Sequence, residues 1–291
     1  MNHTEVRLII LVDNRGCDGL VEEHGLAVWI EAGGRTILFD TGQGAALSAN
    51  AAALGCDLGR VDTLVLSHGH YDHSGAVSQV LQHAPSARVC CHPGALVPRY
   101  SVKPGEAPRT IAVAEPDREA LLSLPAGQLQ WIEKPQLLAP GIGISGPIPR
   151  RHPLEDTGGP FFLDPAGSRP DPLDDDLALW LDSGSGLIVV TGCCHAGLIN
   201  TVEHLRAASG IGTVCGIVGG LHLLNASPER QAATCAALRE WAPEFVVPCH
   251  CTGEEASAVL RAELGERVVP GYAGFILALT AGGAAAPVPA R

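Results

Sequence analysis

The sequence predicts an α/β fold, and three observations carry that prediction. Apolar runs of strand length recur along the chain. Segments with helical spacing separate several of them. Five such runs end directly on polar, often glycine-rich turns bearing His, Asp or Cys. That is how an open α/β sheet gathers functional groups at one edge.

The first strand is expected around Leu8–Val12. Glu5 and Arg7 stand just before this five-residue run, which is too short and too charged for a signal peptide. No run approaches a membrane span, so a cytoplasmic location is expected. Leu26–Glu31 and Thr36–Phe39 flank Ala32-Gly33-Gly34-Arg35 and read as a hairpin. Val61–Leu66 reads as a strand, followed by a helix with Ala76, Val77, Val80 and Leu81 on one face. Leu177–Leu181 and Leu187–Val190 form a second hairpin, and Leu198–Ala208 a helix. Val214–Val218 and Phe245–Val247 are strands separated by a helix over Pro228–Trp241, with Ser227 as N-cap and Pro228 at N1. Residues 1–280 are read as one domain. Two proline-rich stretches, 92–135 and 145–176, are expected to be long loops that wall a pocket. The tail 281–291 is expected to be disordered.

Composition narrows the function. A formal charge of −12 argues against nucleic acid or an anionic membrane as partner. The two lysines, Lys103 and Lys134, beside seventeen arginines read as composition bias. Ten cysteines, including the adjacent pairs Cys90-Cys91 and Cys193-Cys194, suit free, mostly buried thiols better than disulfides or a zinc finger.

The five strand ends are Phe39 on Asp40-Thr41-Gly42, Leu66 on Ser67-His68, Val190 on Thr191-Gly192-Cys193-Cys194-His195, Val218 on Gly219-Gly220-Leu221-His222, and Val247 on Pro248-Cys249-His250. The densest is Ser67-His68-Gly69-His70-Tyr71-Asp72-His73-Ser74-Gly75. Neutral imidazoles and an ionised carboxylate are the N/O ligands of zinc and similar ions. His68, His70, Asp72 and His73 are therefore expected to bind metal, completed by His195 and His250, with His222 as a further candidate. Asp40 is expected to orient a ligand histidine through a carboxylate–imidazole hydrogen bond. Cys193 is expected to be a small wall of the site. His24 and His92 are candidate pocket residues. Arg150 and Arg151 are expected to bind an anionic part of the substrate by charge-assisted forks.

These residues resemble the metallo-β-lactamase superfamily, over about residues 5 to 278. His68-X-His70-X-Asp72-His73, the preceding Phe39-Asp40-Thr41-Gly42 and the late His250 occur in that family's order. The resemblance implies an αβ/βα four-layer sandwich with the metal site between two sheets. Glu23-His24-Gly25-Leu26, Thr191–Gly197, Gly219–Leu223 and Pro248–Gly253 resemble a subgroup that includes archaeal dihydropterin-methyl-ribofuranosylaminobenzene-phosphate synthases. One departure stands out. Family hydrolases carry a metal-bridging Asp in a Thr-Gly-Asp context, whereas Thr191-Gly192 is followed by Cys193. The family's upstream third His has only His152 as a candidate.

The expected function is a metal-dependent hydrolase acting on a small anionic substrate that carries phosphate or pyrophosphate, such as a pterin. One or two divalent ions are implied, zinc ahead of manganese, magnesium or iron. Asp72 and His195 are assigned to catalysis. The alternatives are a synthase-type transferase, a mononuclear iron oxygenase, and a ligand-binding module that retains the metal without turnover. Diiron relatives carry Glu where this chain has His70.

Overall fold

In a computed structural model, residues 6–279 and 286–288 are described. The chain forms two large sheets, of eight and six strands, and a third of three short strands. Val6–Val12 lies inside the eight-stranded sheet, between Ile276–Leu279 and Ala27–Ala32. Ala27–Ala32 and Arg35–Phe39 make the first hairpin across Gly33-Gly34, both at positive φ as a two-residue turn requires. Thr63–Val65 and Arg88–Cys91 extend the sheet in parallel.

Three apolar layers explain why the central strands read as continuous apolar runs: both faces of each large sheet are covered. Leu8, Ile10, Val28 and Ile30 point between the sheets, where they meet Leu179, Ile188, Val190 and Val218. The alternate residues Ile9, Leu11, Ala27 and Trp29 face the helices Leu47–Ala53, Val77–His83 and Glu115–Leu122. In the second sheet Leu187, Val189 and Ile217 face Leu198–Ser209, Pro228–Trp241 and Glu254–Leu264. The order is helices, sheet, sheet, helices: the αβ/βα sandwich.

The helix Pro228–Trp241 begins where its sequence says it should, with Ser227 Oγ accepting from the amide of Arg230. The helix Leu198–Ser209 starts differently. Glu155 accepts from the amides of Ile199 (2.7 Å) and Asn200 (2.8 Å), so a distant carboxylate caps it.

The stretch 92–135 is more regular than its prolines suggest. It contains the helix Glu115–Leu122 and the strands Tyr100–Ser101, Arg109–Thr110 and Leu129–Trp131. The stretch 145–176 is mostly irregular, but Phe161–Phe162 pairs with Tyr100–Ser101, which pairs with Arg109–Thr110. The two insertions thus join into the three-stranded sheet. In the tail, Ala286–Val288 pairs antiparallel with Ile276–Leu279, because that strand offers an otherwise open edge; the remainder of 281–291 lies outside the described residues. Among the described residues, no helix is long and apolar enough to cross a membrane.

Candidate metal centre

The C-terminal ends of strands from both sheets meet at one point. Arg35–Phe39 and Thr63–Val65 deliver Asp40 and His68–His73. Leu187–Thr191, Val214–Gly220 and Phe245–Cys249 deliver Cys193, His195, His222, His250 and Cys251. Two glycines allow this approach. A Cβ on Gly69, between His68 and His70, would lie 1.9 Å from the Ala95 carbonyl oxygen. A Cβ on Gly192 would lie 2.1 Å from Ser67 Oγ. Six described non-glycine residues have positive φ, and four of them (Asp40, Cys194, His222, His250) are in this region. Strain of that kind persists where the surroundings over-determine it, commonly at functional sites.

Hydrogen bonds fix which ring nitrogens face inward; the tautomers are assigned from these partners. His68 Nδ1 lies 2.8 Å from Ser67 Oγ, which donates to Asp40 Oδ2 at 2.6 Å. His73 Nδ1 donates to the same Asp40 oxygen at 2.7 Å. His250 Nδ1 donates to Asn14 Oδ1 at 2.9 Å and His195 Nδ1 to the Thr157 carbonyl at 2.9 Å. Each donation leaves Nε2 with a free lone pair, as metal-bound histidines require.

Those lone pairs form two triads. His68 Nε2, His70 Nδ1 and the buried, unpartnered Nε2 of His195 converge, with His68 and His70 3.0 Å apart. His73 Nε2 and His250 Nε2 face each other at 3.1 Å, with Asp72 Oδ2 at 3.9 and 3.6 Å. Two nitrogens bound to one zinc at about 2.0–2.1 Å with tetrahedral angles lie about 3.3 Å apart. Lone pairs facing at 3.0–3.1 Å repel unless a cation or proton sits between them, so the donor set fits divalent ions. His222 donates from Nε2 to the Gly158 carbonyl at 3.2 Å and leaves Nδ1 buried without a partner, its ring centroid 4.3 Å from that of His195.

Electrostatics keeps most of these groups ready to bind. Burial, reinforced by neighbouring imidazoles, pushes His68 and His195 well below the usual imidazole range. Burial also takes His70 to about 3 and His250 to about 4. Burial acts to raise Asp72, but His73, His24 and His250 outweigh it and hold the carboxyl well below the usual range. For His73, burial is outweighed by Asp40 and Asp72, which raise it to about 9. A proton on His73 and an ion at its Nε2 exclude each other, so ion binding displaces that proton.

A buried ion pair supports the histidine loop. Arg99 is bidentate to Asp175 and bonds Asp171 through Nε at 2.7 Å, and Asp175 Oδ2 accepts from the amide of Gly69 at 2.8 Å. Glu23 gathers the amides of Gln43, Ala45 and Ala46 at 2.6–3.0 Å, fixing the turn after Asp40. His24, half exposed, reaches Asp72 Oδ2 at 3.1 Å.

Three expected substrate contacts lie elsewhere. The Arg150 guanidinium is spent on carbonyls, those of His195, Pro172 and Leu173, and so holds the His195 turn from behind. Arg151 and His152 line a separate groove beside Asn200 and His204. His92 caps its own turn by accepting from the amide of Gly94 at 3.0 Å. The cleft above the triads, about 300 Å³, takes its cations instead from Lys103 and Arg109 and its aromatic cover from Phe161. Lys103 is read from the sequence as composition bias and Arg109 is not singled out, because each belongs to a turn or two-residue strand with no periodicity. Asn14 was also missed, although it follows the first strand end as the other site residues follow theirs. Cys193 is more than a wall: its Sγ is 3.2 Å from His73 Nε2.

Comparison with known proteins agrees with this geometry. Residues 20–203 match the family described as the metallo-beta-lactamase superfamily. The chain is 31% identical over 249 residues, 85% of its length and 91% of the other, to an uncharacterised protein of Methanocaldococcus jannaschii. It is 28% identical over 270 residues, 88% of its length and 90% of the other, to that organism's 7,8-dihydropterin-6-methyl-4-(beta-D-ribofuranosyl)-aminobenzene-5'-phosphate synthase. A solved structure described as Tm1679, a metal-dependent hydrolase of the beta-lactamase superfamily, superposes with a TM-score of 0.80 at 30% identity, covering 94% of this chain and 99% of that one. With strand ends, triads and matches in agreement, the chain belongs to the metallo-β-lactamase superfamily.

Proposed function

We propose that this protein is a metal-dependent hydrolase for a small anionic substrate carrying a phosphate or pyrophosphate group. The observation that carries the reading is the buried donor set, His68/His70/His195 beside His73/His250/Asp72, at the floor of a cleft whose rim holds Lys103 and Arg109. A divalent ion bound there supplies Lewis acidity, activating water near neutral pH and polarising a substrate oxygen.

The chain's own residues do the rest. Lys103 and Arg109 bind the anionic group. Arg109 is held by Tyr71, donating to its hydroxyl at 3.1 Å and lying 5.1 Å from its ring centroid. Phe161, with its ring centroid 5.2 Å from that of His70 and 5.4 Å from that of His195, covers the first triad and limits access of bulk water. His24, hydrogen-bonded to Asp72 and open to the cleft mouth, can carry a proton to a leaving group. Asp72 orients the reacting water as well as holding an ion.

A second reading is a transferase that expels an anionic leaving group such as pyrophosphate. It is supported by the relative named as a phosphate synthase, at 28% identity over nearly the whole chain. Zinc-loaded and chelator-stripped protein assayed on a phosphomonoester, a phosphodiester, a pyrophosphate ester and a lactone tests both readings. Metal-dependent turnover of a phosphorus ester supports the first. Turnover of the pyrophosphate ester only when an acceptor amine is added supports the second. Turnover of the lactone alone contradicts both.

A further inference from the structure

Four consecutive residues, 155–158, belong to no helix or strand, yet they hold one side of the site. Glu155 caps the helix Leu198–Ser209 through the amides of Ile199 and Asn200. The Thr157 carbonyl accepts from His195 Nδ1 at 2.9 Å, and the Gly158 carbonyl from His222 Nε2 at 3.2 Å. Gly158 has φ +81°, and a Cβ there would lie 1.9 Å from His222 Cδ2, so this strap lies close against that ring. Among the described residues, the backbone of 156–158 makes no hydrogen bond to other backbone. What ties it down from outside the site is Arg230, in the first turn of the helix Pro228–Trp241. Arg230 Nη1 donates to Asp156 Oδ1 at 2.7 Å and to the Asp156 carbonyl at 3.3 Å. The same Oδ1 accepts from the Gly158 amide at 2.9 Å.

The ion pair is lopsided. The Arg230 side chain is 2% exposed and the Asp156 side chain 75%. Arg230 Nε and Nη2 are buried with no acceptor among the described residues. A buried cation with unmet donors and an exposed partner loses more by desolvation than it gains in attraction. Stability therefore does not account for Arg230. We infer that Arg230 is a positioning residue: it clamps residues 156–158 and, through their carbonyls, sets the rings of His195 and His222 at the cleft. A hydrogen bond at one imidazole nitrogen decides what the other nitrogen presents, so the clamp acts on the face of each ring turned to the site. The strap continues into Gly159, Pro160 and Phe161 of the cleft wall, and the clamp thus also places the cover over the first triad.

Hydrogen exchange of the imidazole ring protons, followed by nuclear magnetic resonance, tests it, each signal being assigned by its loss in His195→Gln, His222→Gln or His73→Gln. Arg230→Met keeps most of the volume and removes the clamp. Its melting temperature should equal or exceed that of wild type, because no buried charge is left unpaired. Its His195 Nδ1 and His222 Nε2 protons should nonetheless exchange at least about tenfold faster. The His73 Nδ1 proton, held by Asp40, should exchange as in wild type. Arg230→Lys keeps a cation for Asp156 and should restore much of the protection. Metal-free and zinc-loaded protein are both measured, since the ring hydrogen bonds do not need the ion. Where a phosphorus ester is turned over, kcat of Arg230→Met should fall about tenfold or more with KM near that of wild type. Only this last arm rests on the hydrolase reading: absence of turnover by wild type contradicts that reading and leaves the exchange test standing. Wild-type exchange at both rings in Arg230→Met, or equal acceleration at all three, overturns the inference. So does an Arg230→Met protein that does not fold, since stability would then account for the residue.

Discussion

His73 Nδ1 and Asp40 Oδ2 are 2.7 Å apart, with both side chains fully buried. The same carboxylate accepts from the Ser67 amide at 2.7 Å and the Ser67 hydroxyl at 2.6 Å, and Ser67 in turn orients His68. One acid therefore sets the ring orientation of a histidine in each triad. Asp40→Asn preserves the volume but cannot accept from all three donors. Zinc affinity should fall about 10–100-fold, the usual effect of losing an outer carboxylate partner. Competition against a chromogenic chelator measures it, and unchanged affinity would contradict the assigned role.

The Arg99–Asp175 pair makes a stability prediction. Both side chains are at most 2% exposed. Arg99→Met leaves Asp175 charged and unpaired, and should cost about 3–5 kcal/mol, read from urea unfolding. Burial raises Asp175, but Arg99 and the Gly69 amide outweigh it and lower its pKa. A carboxyl depressed in the folded state contributes stability above its unfolded pKa, and loses it as the pH falls through the folded value. In metal-free wild type the buried, neutral His68, His70, His195 and His250 already cost stability as the pH falls below about 6.5, and the Asp175 contribution is lost on top of that from about pH 4 downward. Asp175→Asn should flatten that part of the profile.

The two halves of the site approach through Gly192. Gly192→Ala places a methyl 2.1 Å from Ser67 Oγ in a buried contact. Overpacking of this kind costs about 1–3 kcal/mol, and it pushes Cys193 and His195 away from His68. Lower thermal stability together with weaker zinc retention is expected. Lower stability with zinc affinity unchanged would show that the turn is not what sets the triads.

Substrate anchoring should follow the cleft, not the arginine pair singled out in the sequence. Lys103→Ala and Arg109→Ala should each raise KM for an anionic substrate by about tenfold or more, since a charged hydrogen bond is worth roughly 1.5–3 kcal/mol. Metal content should stay constant. Arg150→Ala should instead destabilise the protein and weaken zinc binding, because its guanidinium holds the His195 carbonyl. Equal KM in wild type and both cleft variants would remove the anion-binding role.

Much of the fold was legible because its signals are local. The strands Val6–Val12 and Leu187–Thr191 are buried on both faces, so they stand out as apolar runs. The helix Pro228–Trp241 announces itself through Ser227 and Pro228. The helix Glu115–Leu122 did not, because only Asp117 and Leu121 are buried and Leu122 is exposed, so no apolar stripe recurs along it. The histidine cluster was legible from its spacing, and the fold does bring His68, His70 and His73 together with His195 and His250. What Arg150 does was not, because a guanidinium takes whatever carbonyls the tertiary fold brings, here those of residues 22 to 45 positions away. Cys193 was read as a small wall of the site because nothing in the local sequence shows that its sulfur faces His73 across the sheets.

The proposed function requires that two triads, one closed by His195 and the other by His250, each hold a divalent ion. Elemental analysis of zinc-saturated wild type, His195→Ala and His250→Ala after gel filtration tests it most directly. Wild type should carry about two equivalents and each variant about one, because each substitution removes one of three ligands from one triad only. Less than about a tenth of an equivalent in wild type, or a full complement in both variants, would contradict it.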